Sequence, residues 1–178
     1  LWSEVLRMQV ELEALGTQCI AVALPNSATW VILDLAAALQ GVLLVPVPHF
    51  FSDTQRQHLL DNANVDMLVS PGSAKHQPDP SSSGKTLLCA GQHLQFDAIP
   101  GKKPTTANTG DAFKISYTSG ATGDPKGVLI SLSQVSSTVD AILGSISPTC
   151  AKRHLSVLPY SLLLENIVGI YAALAAGG

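Results

Sequence analysis

The chain has 178 residues, 46% apolar and 13% charged, and a formal net charge of −3. That length suffices for one domain burying about two-thirds of its unfolded surface. The acid excess leaves no basic face for a nucleic acid backbone and no Lys/Arg cluster for an anionic membrane surface, so small-molecule chemistry is the default expectation.

Trp2, Val5, Leu6, Val10, Leu12 and Leu15 recur at helical spacing with charged residues between them, and Gly16 supplies a stop. This predicts an opening amphipathic helix. The apolar run 19–24 predicts a strand, Pro25-Asn26-Ser27 a turn and cap, and residues 28–40 a helix ending at Gly41. Residues 42–47 read as a second strand. Ser52 with Gln55 three positions on has the form of a capping box that opens a helix through Leu59, Leu60 and Ala63. Residues 67–70 follow as a third strand. Short apolar strands alternating with helices predict an α/β fold with a partly parallel sheet and flanking helices.

Residues 71–84 and 100–110 shift to Pro, Ser, Gly and Asp and read as exposed connectors. Between them, 86–89 reads as a strand, and after them 112–117 alternates as a half-buried strand does. Residues 128–131 predict a strand, 132–146 a helix closed by Pro148, 154–158 a strand, and 162–176 a helix running into Gly177-Gly178.

Two apolar stretches, 31–47 and 162–176, are interrupted by Asp34, Gln40 and Pro46 and by Glu165 and Asn166, and read as core rather than transmembrane segments. The opening Leu-Trp-Ser-Glu-Val has no charged start before an apolar run, so no secretory signal is expected, and no initiator methionine is present. Cys19, Cys89 and Cys150 are odd in number and in no metal-ligand spacing, which suits structural thiols in a reducing, cytoplasmic compartment. His49, His58, His76, His93 and His154 likewise have no spacing of a metal site or catalytic dyad, so no metal site is assigned.

The sharpest chemical signal is Tyr117-Thr118-Ser119-Gly120-Ala121-Thr122-Gly123-Asp124-Pro125-Lys126-Gly127. Three glycines, three Ser/Thr hydroxyls and one lysine fall in eleven positions between predicted strands. Glycines let backbone amides approach a phosphate, hydroxyls add neutral donors and lysine adds a mobile positive charge, so the combination suits a polyphosphate. A polar hairpin with a chance lysine is the alternative that composition leaves open. Ser83-Gly84-Lys85-Thr86 ends like a nucleotide-binding P-loop, but Asp79 stands where that motif needs its first glycine, and a connector rather than a strand precedes it.

The whole string resembles the Thr-Ser-Gly-Thr-Thr-Gly-x-Pro-Lys-Gly signature of the adenylate-forming superfamily, which includes acyl-CoA synthetases and peptide synthetase adenylation domains; nine of its ten positions fit. The approach Asp111 to Tyr117 is similar to the strand leading into that signature. Val22-Ala23-Leu24-Pro25-Asn26-Ser27, with Ala38-Leu39-Gln40-Gly41-Val42 and Val45-Pro46-Val47, resembles the family's early strand-helix-strand region. Leu158-Pro159-Tyr160-Ser161 with Glu165-Asn166 resembles its acyl-pocket segment. Two positions depart: Ala121 replaces a Thr or Ser, and Leu162 stands where relatives place His or an aromatic residue.

The resemblance implies an ATP-dependent carboxylate-activating ligase that forms an acyl adenylate and pyrophosphate, then a thioester. Residues 1–178 would form the amino-terminal part of the AMP-binding domain, with the carboxy-terminal domain absent. Thr118, Ser119, Gly120, Thr122, Gly123 and Lys126 would bind ATP, with Lys126 also catalytic, and Tyr160, Leu162 and Glu165 would stand near the carboxylic acid. Magnesium would accompany ATP, its ligands mostly beyond Gly178 with the adenine and ribose contacts, so these residues by themselves would be inactive. The acid would be a fatty or other apolar one, and the acceptor coenzyme A or an acyl carrier protein. An amino-acid adenylation domain or a non-catalytic nucleotide-binding module are the alternatives.

Overall fold

A computed structural model describes residues 1–72, 84–102, 110–118, 124–147 and 154–178. The chain runs α1 (Trp2–Leu15), β1 (Cys19–Val22), α2 (Ala28–Gln40), β2 (Leu43–Pro46), α3 (Asp53–Asn62) and β3 (Met67–Pro71). It continues with β4 (Lys85–Cys89), β5 (Gln92–Ala98), β6 (Ala112–Thr118), β7 (Lys126–Ser131) and α4 (Leu132–Ser145). A last helix, α5, starts as an α-turn at Leu163–Glu165, widens to a π-helix over Asn166–Ala172 and closes as α at Ala173–Ala175.

Local chemistry sets the helix limits. The Ser27 hydroxyl accepts from the Trp30 amide at 3.2 Å to start α2, and Gly41 ends it at φ 72°, where a β-carbon would be strained. At α3 the reciprocal Ser52–Gln55 box expected from the sequence is formed, with bonds of 3.3 and 3.0 Å.

The described strands form one sheet in the order β4-β5-β3-β1-β2-β6-β7. β3, β1, β2 and β6 are mutually parallel, while β5 and β4 extend one side antiparallel and β7 the other. One face carries Ile20, Val22, Leu44 and Val69 against Val5, Met8 and Leu12 of α1 and Trp30, Leu33 and Ala37 of α2. The other carries Ala21, Val45, Ile115 and Tyr117 against Leu59 of α3. The fold is α/β with flanking helices, as the sequence predicts.

Two local expectations are corrected. β5 was not anticipated; it forms a hairpin with β4 through Ala90 and Gly91, at φ 45° and 79°. Ala in a left-handed turn position hides the signal that Asn or Asp would have given. Residues 154–158, expected as a strand, are irregular: Leu155 and Val157 are 82% and 74% exposed, and the segment is held by side-chain bonds instead.

Pro71 belongs to β3, so the first connector starts one residue later; Pro148 and the connector interiors lie outside the described residues. Among the described residues no helix is long and apolar enough to cross a membrane. Cys19 and Cys89 are buried and free, and burial pushes the Cys19 thiol up to about 12, which makes it a poor nucleophile. Cys150 and His76 lie outside the described residues. β7 ends the sheet, with Val128 and Leu129 46% and 48% exposed.

Candidate active site

Parallel strands β1, β2, β3 and β6 all end on one edge of the sheet, where ligands of open α/β sheets bind. The predicted phosphate loop leaves from that edge. Thr118, the last residue of β6, pairs with Lys126, the first of β7, and both are exposed. Ser119, Gly120, Ala121, Thr122 and Gly123 lie outside the described residues. His58 of α3 donates from Nε2 to the Pro125 carbonyl at 3.1 Å, and the Tyr117 hydroxyl donates to Asn62 of α3 at 2.7 Å. Gly127 has a packing reason of its own: a β-carbon there would come within 2.8 Å of Ile115 Cγ2 and 3.0 Å of the Tyr117 ring.

Beside this edge opens a cavity of about 630 Å³, bordered by Asn26, His49, Arg56, Ser70, Tyr160 and Ser161 among mostly apolar neighbours. Asn26 builds its far wall. Its Nδ2 donates to the Leu158 carbonyl at 2.8 Å and Ser156 Oγ at 3.2 Å, and its Oδ1 accepts from the Tyr160 amide at 2.8 Å. Three bonds from one side chain thereby fix a segment that has no sheet partner. The Tyr160 ring then packs on Trp30 with centroids 5.5 Å apart.

Of the three residues expected near the acid, only Tyr160 borders this cavity. Leu162 is the N-cap of α5, and its amide donates to the Pro159 carbonyl at 2.9 Å. Glu165 is buried, 3.0 Å from His154 Nε2. Burial works against its charge, but hydrogen bonds from His154 and Ser156 outweigh that and hold its carboxyl below the usual 4.5. Gly169 makes the space for this pair, since a β-carbon there would collide with Glu165 Oε1 and approach His154 Nε2 to 2.9 Å. Lys85, the lysine of the P-loop-like string, opens the edge strand β4 and pairs with Glu11 at 2.7 Å.

A buried polar centre behind the loop strand was missed in the sequence. A β-bulge shifts the β6–β7 register between Ala112 and Lys114, so Phe113 and Lys114 point to the same face. Lys114 is buried against Asp34 of α2 and Asn166 and Tyr171 of α5, with Nζ 2.8 Å from Asp34 Oδ1. Burial lowers the Lys114 pKa against the pull of Asp34, and it raises that of Tyr171. The available signal was three polar residues, each inside an apolar run.

The model of the AMP-binding enzyme family matches residues 1–178. A D-alanine--D-alanyl carrier protein ligase of Listeria monocytogenes is 39% identical over 83 residues, 47% of this chain and 16% of the relative. A palmitoyl-CoA ligase of Gibberella moniliformis is 26% identical over 80% of the chain and 26% of its own length. In three dimensions the chain is similar to the o-succinylbenzoate CoA synthetase of Bacillus subtilis in complex with its acyl-adenylate intermediate, with TM-score 0.71 at 20% identity over 99% of this chain and 46% of that one. The same enzyme in complex with ATP and magnesium gives 0.67. The chain thus spans about a quarter or less of the length of these curated relatives.

Proposed function

The chain belongs to the AMP-binding enzyme family, and from that premise we propose that it supplies the phosphate-gripping, amino-terminal part of a ligase that activates a carboxylic acid as an acyl adenylate. The observation that carries the reading is the position of Thr118 and Lys126, which leave the carboxyl edge of the parallel sheet beside the cavity walled by Asn26 and Tyr160.

In this scheme a substrate carboxylate oxygen attacks the α-phosphorus of ATP and pyrophosphate leaves. Lys126, the hydroxyls of Thr118, Ser119 and Thr122, and the amides of Gly120 and Gly123 neutralise the charge that accumulates on the departing β- and γ-phosphates. The work is electrostatic, and no covalent nucleophile is required. His58 and Asn62 keep both arms of the loop on α3 while that charge moves. Magnesium would enter with the nucleotide phosphates that the loop would hold, its ligands mostly beyond these residues.

Among the described residues the cavity lining brings Arg56, a cation that can meet a carboxylate, together with mostly apolar neighbours, a composition that suits an apolar acid. This favours an acyl substrate over an amino acid, and a thioester with coenzyme A or a carrier protein as the product. Buried thiols fit a cytoplasmic location. Carboxylate-dependent exchange of pyrophosphate into ATP by the intact protein, across fatty acids, aryl acids and amino acids, tests the reading. Exchange with an apolar acid is expected; exchange with amino acids alone would move the assignment to a peptide-synthetase type of substrate.

A further inference from the structure

The centre behind the loop strand holds an amine, a carboxamide and a carboxyl group in mutual contact. Lys114, Asp34 and Asn166 are 1%, 0% and 2% exposed. Lys114 Nζ lies 2.5 Å from Asn166 Oδ1 and 2.8 Å from Asp34 Oδ1. The second carboxylate oxygen, Oδ2, faces Asn166 Nδ2 at 3.3 Å and accepts from the Tyr171 hydroxyl at 2.9 Å. The rings of Trp30, Phe113 and Tyr171 enclose Nζ, with centroids 5.6, 5.1 and 5.1 Å away.

As a structural ion pair this arrangement is a poor choice, because desolvating both charges offsets most of their attraction and apolar residues of similar volume serve as well. As a reaction centre every part has a use. The amine is the nucleophile, the carboxamide carbon the electrophile, and the carboxyl group touches both the nitrogen that attacks and the nitrogen that leaves. Burial favours the neutral amine, with its free lone pair, against the pull of Asp34 and of the three ring faces.

We propose that Lys114 and Asn166 become joined by an intramolecular isopeptide bond, with Asp34 carrying the protons. The Lys114 ammonium first yields a proton to Asp34 Oδ2, along their 2.9 Å hydrogen bond. The free amine adds to Asn166 Cγ. A second proton passes from the attacking nitrogen by way of Asp34 to Nδ2, which departs as ammonia. The Nζ–Cγ bond replaces the Cγ–Nδ2 bond, one proton stays on Asp34 as a neutral acid, and no oxidant, reductant or cofactor is consumed. Burial lowers the Lys114 pKa, in the direction the first step needs. The product also removes the buried charges, replacing an ammonium and a carboxylate with an amide and a carboxylic acid. The link would bridge 52 positions, tying the strand that feeds the phosphate loop to α5.

Mass spectrometry of the intact, denatured protein followed by peptide mapping tests the proposal. A mass lower than that of the sequence by one ammonia is expected, with a branched peptide joining the Lys114 and Asn166 segments. An unreduced mass with linear peptides carrying both residues unmodified would overturn it. So would ammonia loss without a branched peptide, the product of an asparagine succinimide. Lys114→Arg and Asp34→Asn should each abolish the branched peptide, whereas Asn166→Asp should keep it with loss of water instead of ammonia. Because the wild-type mass decides by itself, a variant that fails to fold leaves the test intact.

Discussion

The imidazole of His58 donates to the Pro125 carbonyl across 3.1 Å, so a helix on one face of the sheet restrains the outgoing arm of the 118–126 loop. Tyr117, bonded to Asn62, restrains the incoming arm from the same helix. α3 is therefore a brace for the loop. One neutral hydrogen bond contributes about 1 kcal/mol, equivalent to about a fivefold change in an equilibrium constant. His58→Ala in the intact enzyme should raise the KM for ATP by about that factor, and His58→Gln, which retains a donor, by less. Steady-state kinetics at saturating acid makes the comparison; an unchanged KM in the alanine variant would mean the nucleotide does not feel the brace.

Lys126→Ala should slow adenylation by roughly 10- to 150-fold, because a charge-assisted bond to phosphate is worth about 1.5 to 3 kcal/mol. Lys85→Ala removes only a surface ion pair with Glu11, worth about 0 to 1 kcal/mol of stability, and should leave the rate alone. Pyrophosphate exchange on both variants checks the pair, and a reversed order would put the phosphate site in the wrong loop.

Asn26→Ala breaks three bonds that hold residues 156–160 beside the cavity. The wall carrying Tyr160 should loosen, raising the KM for the carboxylic acid several-fold while that for ATP stays within about twofold, since each lost bond is worth about 0.5 to 1.5 kcal/mol. Equal effects on both substrates would argue that Asn26 supports the fold and not the acid side of the site.

Glu165 gives a pH signature. Its carboxyl is held below 4.5 in the folded protein, so the stability it contributes is complete above about that pH and is lost as the pH falls through the lower, folded value. The Tm difference between wild type and Glu165→Gln should be largest near neutrality and shrink below pH 4.5. Thermal melts across that range supply the measurement; a gap that widens on acidification would contradict the assigned direction.

Much of the fold was legible in the sequence because its determinants are local. Ser27, Gly41 and the Ser52–Gln55 box lie within a few residues of the ends they define, and the α2 limits agree to the residue. The β4–β5 hairpin escaped because its turn uses Ala90, and the 154–158 segment misled because its apolar residues face outward rather than into a sheet. In the site, the loop string was legible as a string. The polar centre was not, because Lys114 meets partners 80 and 52 positions away, and nothing near Asp34 or Asn166 in sequence indicates that they face each other. Asn26 read as a turn residue for the same reason: its partners lie more than a hundred positions downstream.

β7 closes one side of the sheet with an unpaired row of backbone donors and acceptors among the described strands, flanked by exposed Val128 and Leu129. Such a strand is a template for another copy of itself. Prepared alone, these 178 residues should self-associate as concentration rises, strand adding to strand through β7. A single gatekeeping charge, Leu129→Lys, should keep them monomeric in a sedimentation experiment without touching the loop that β7 carries.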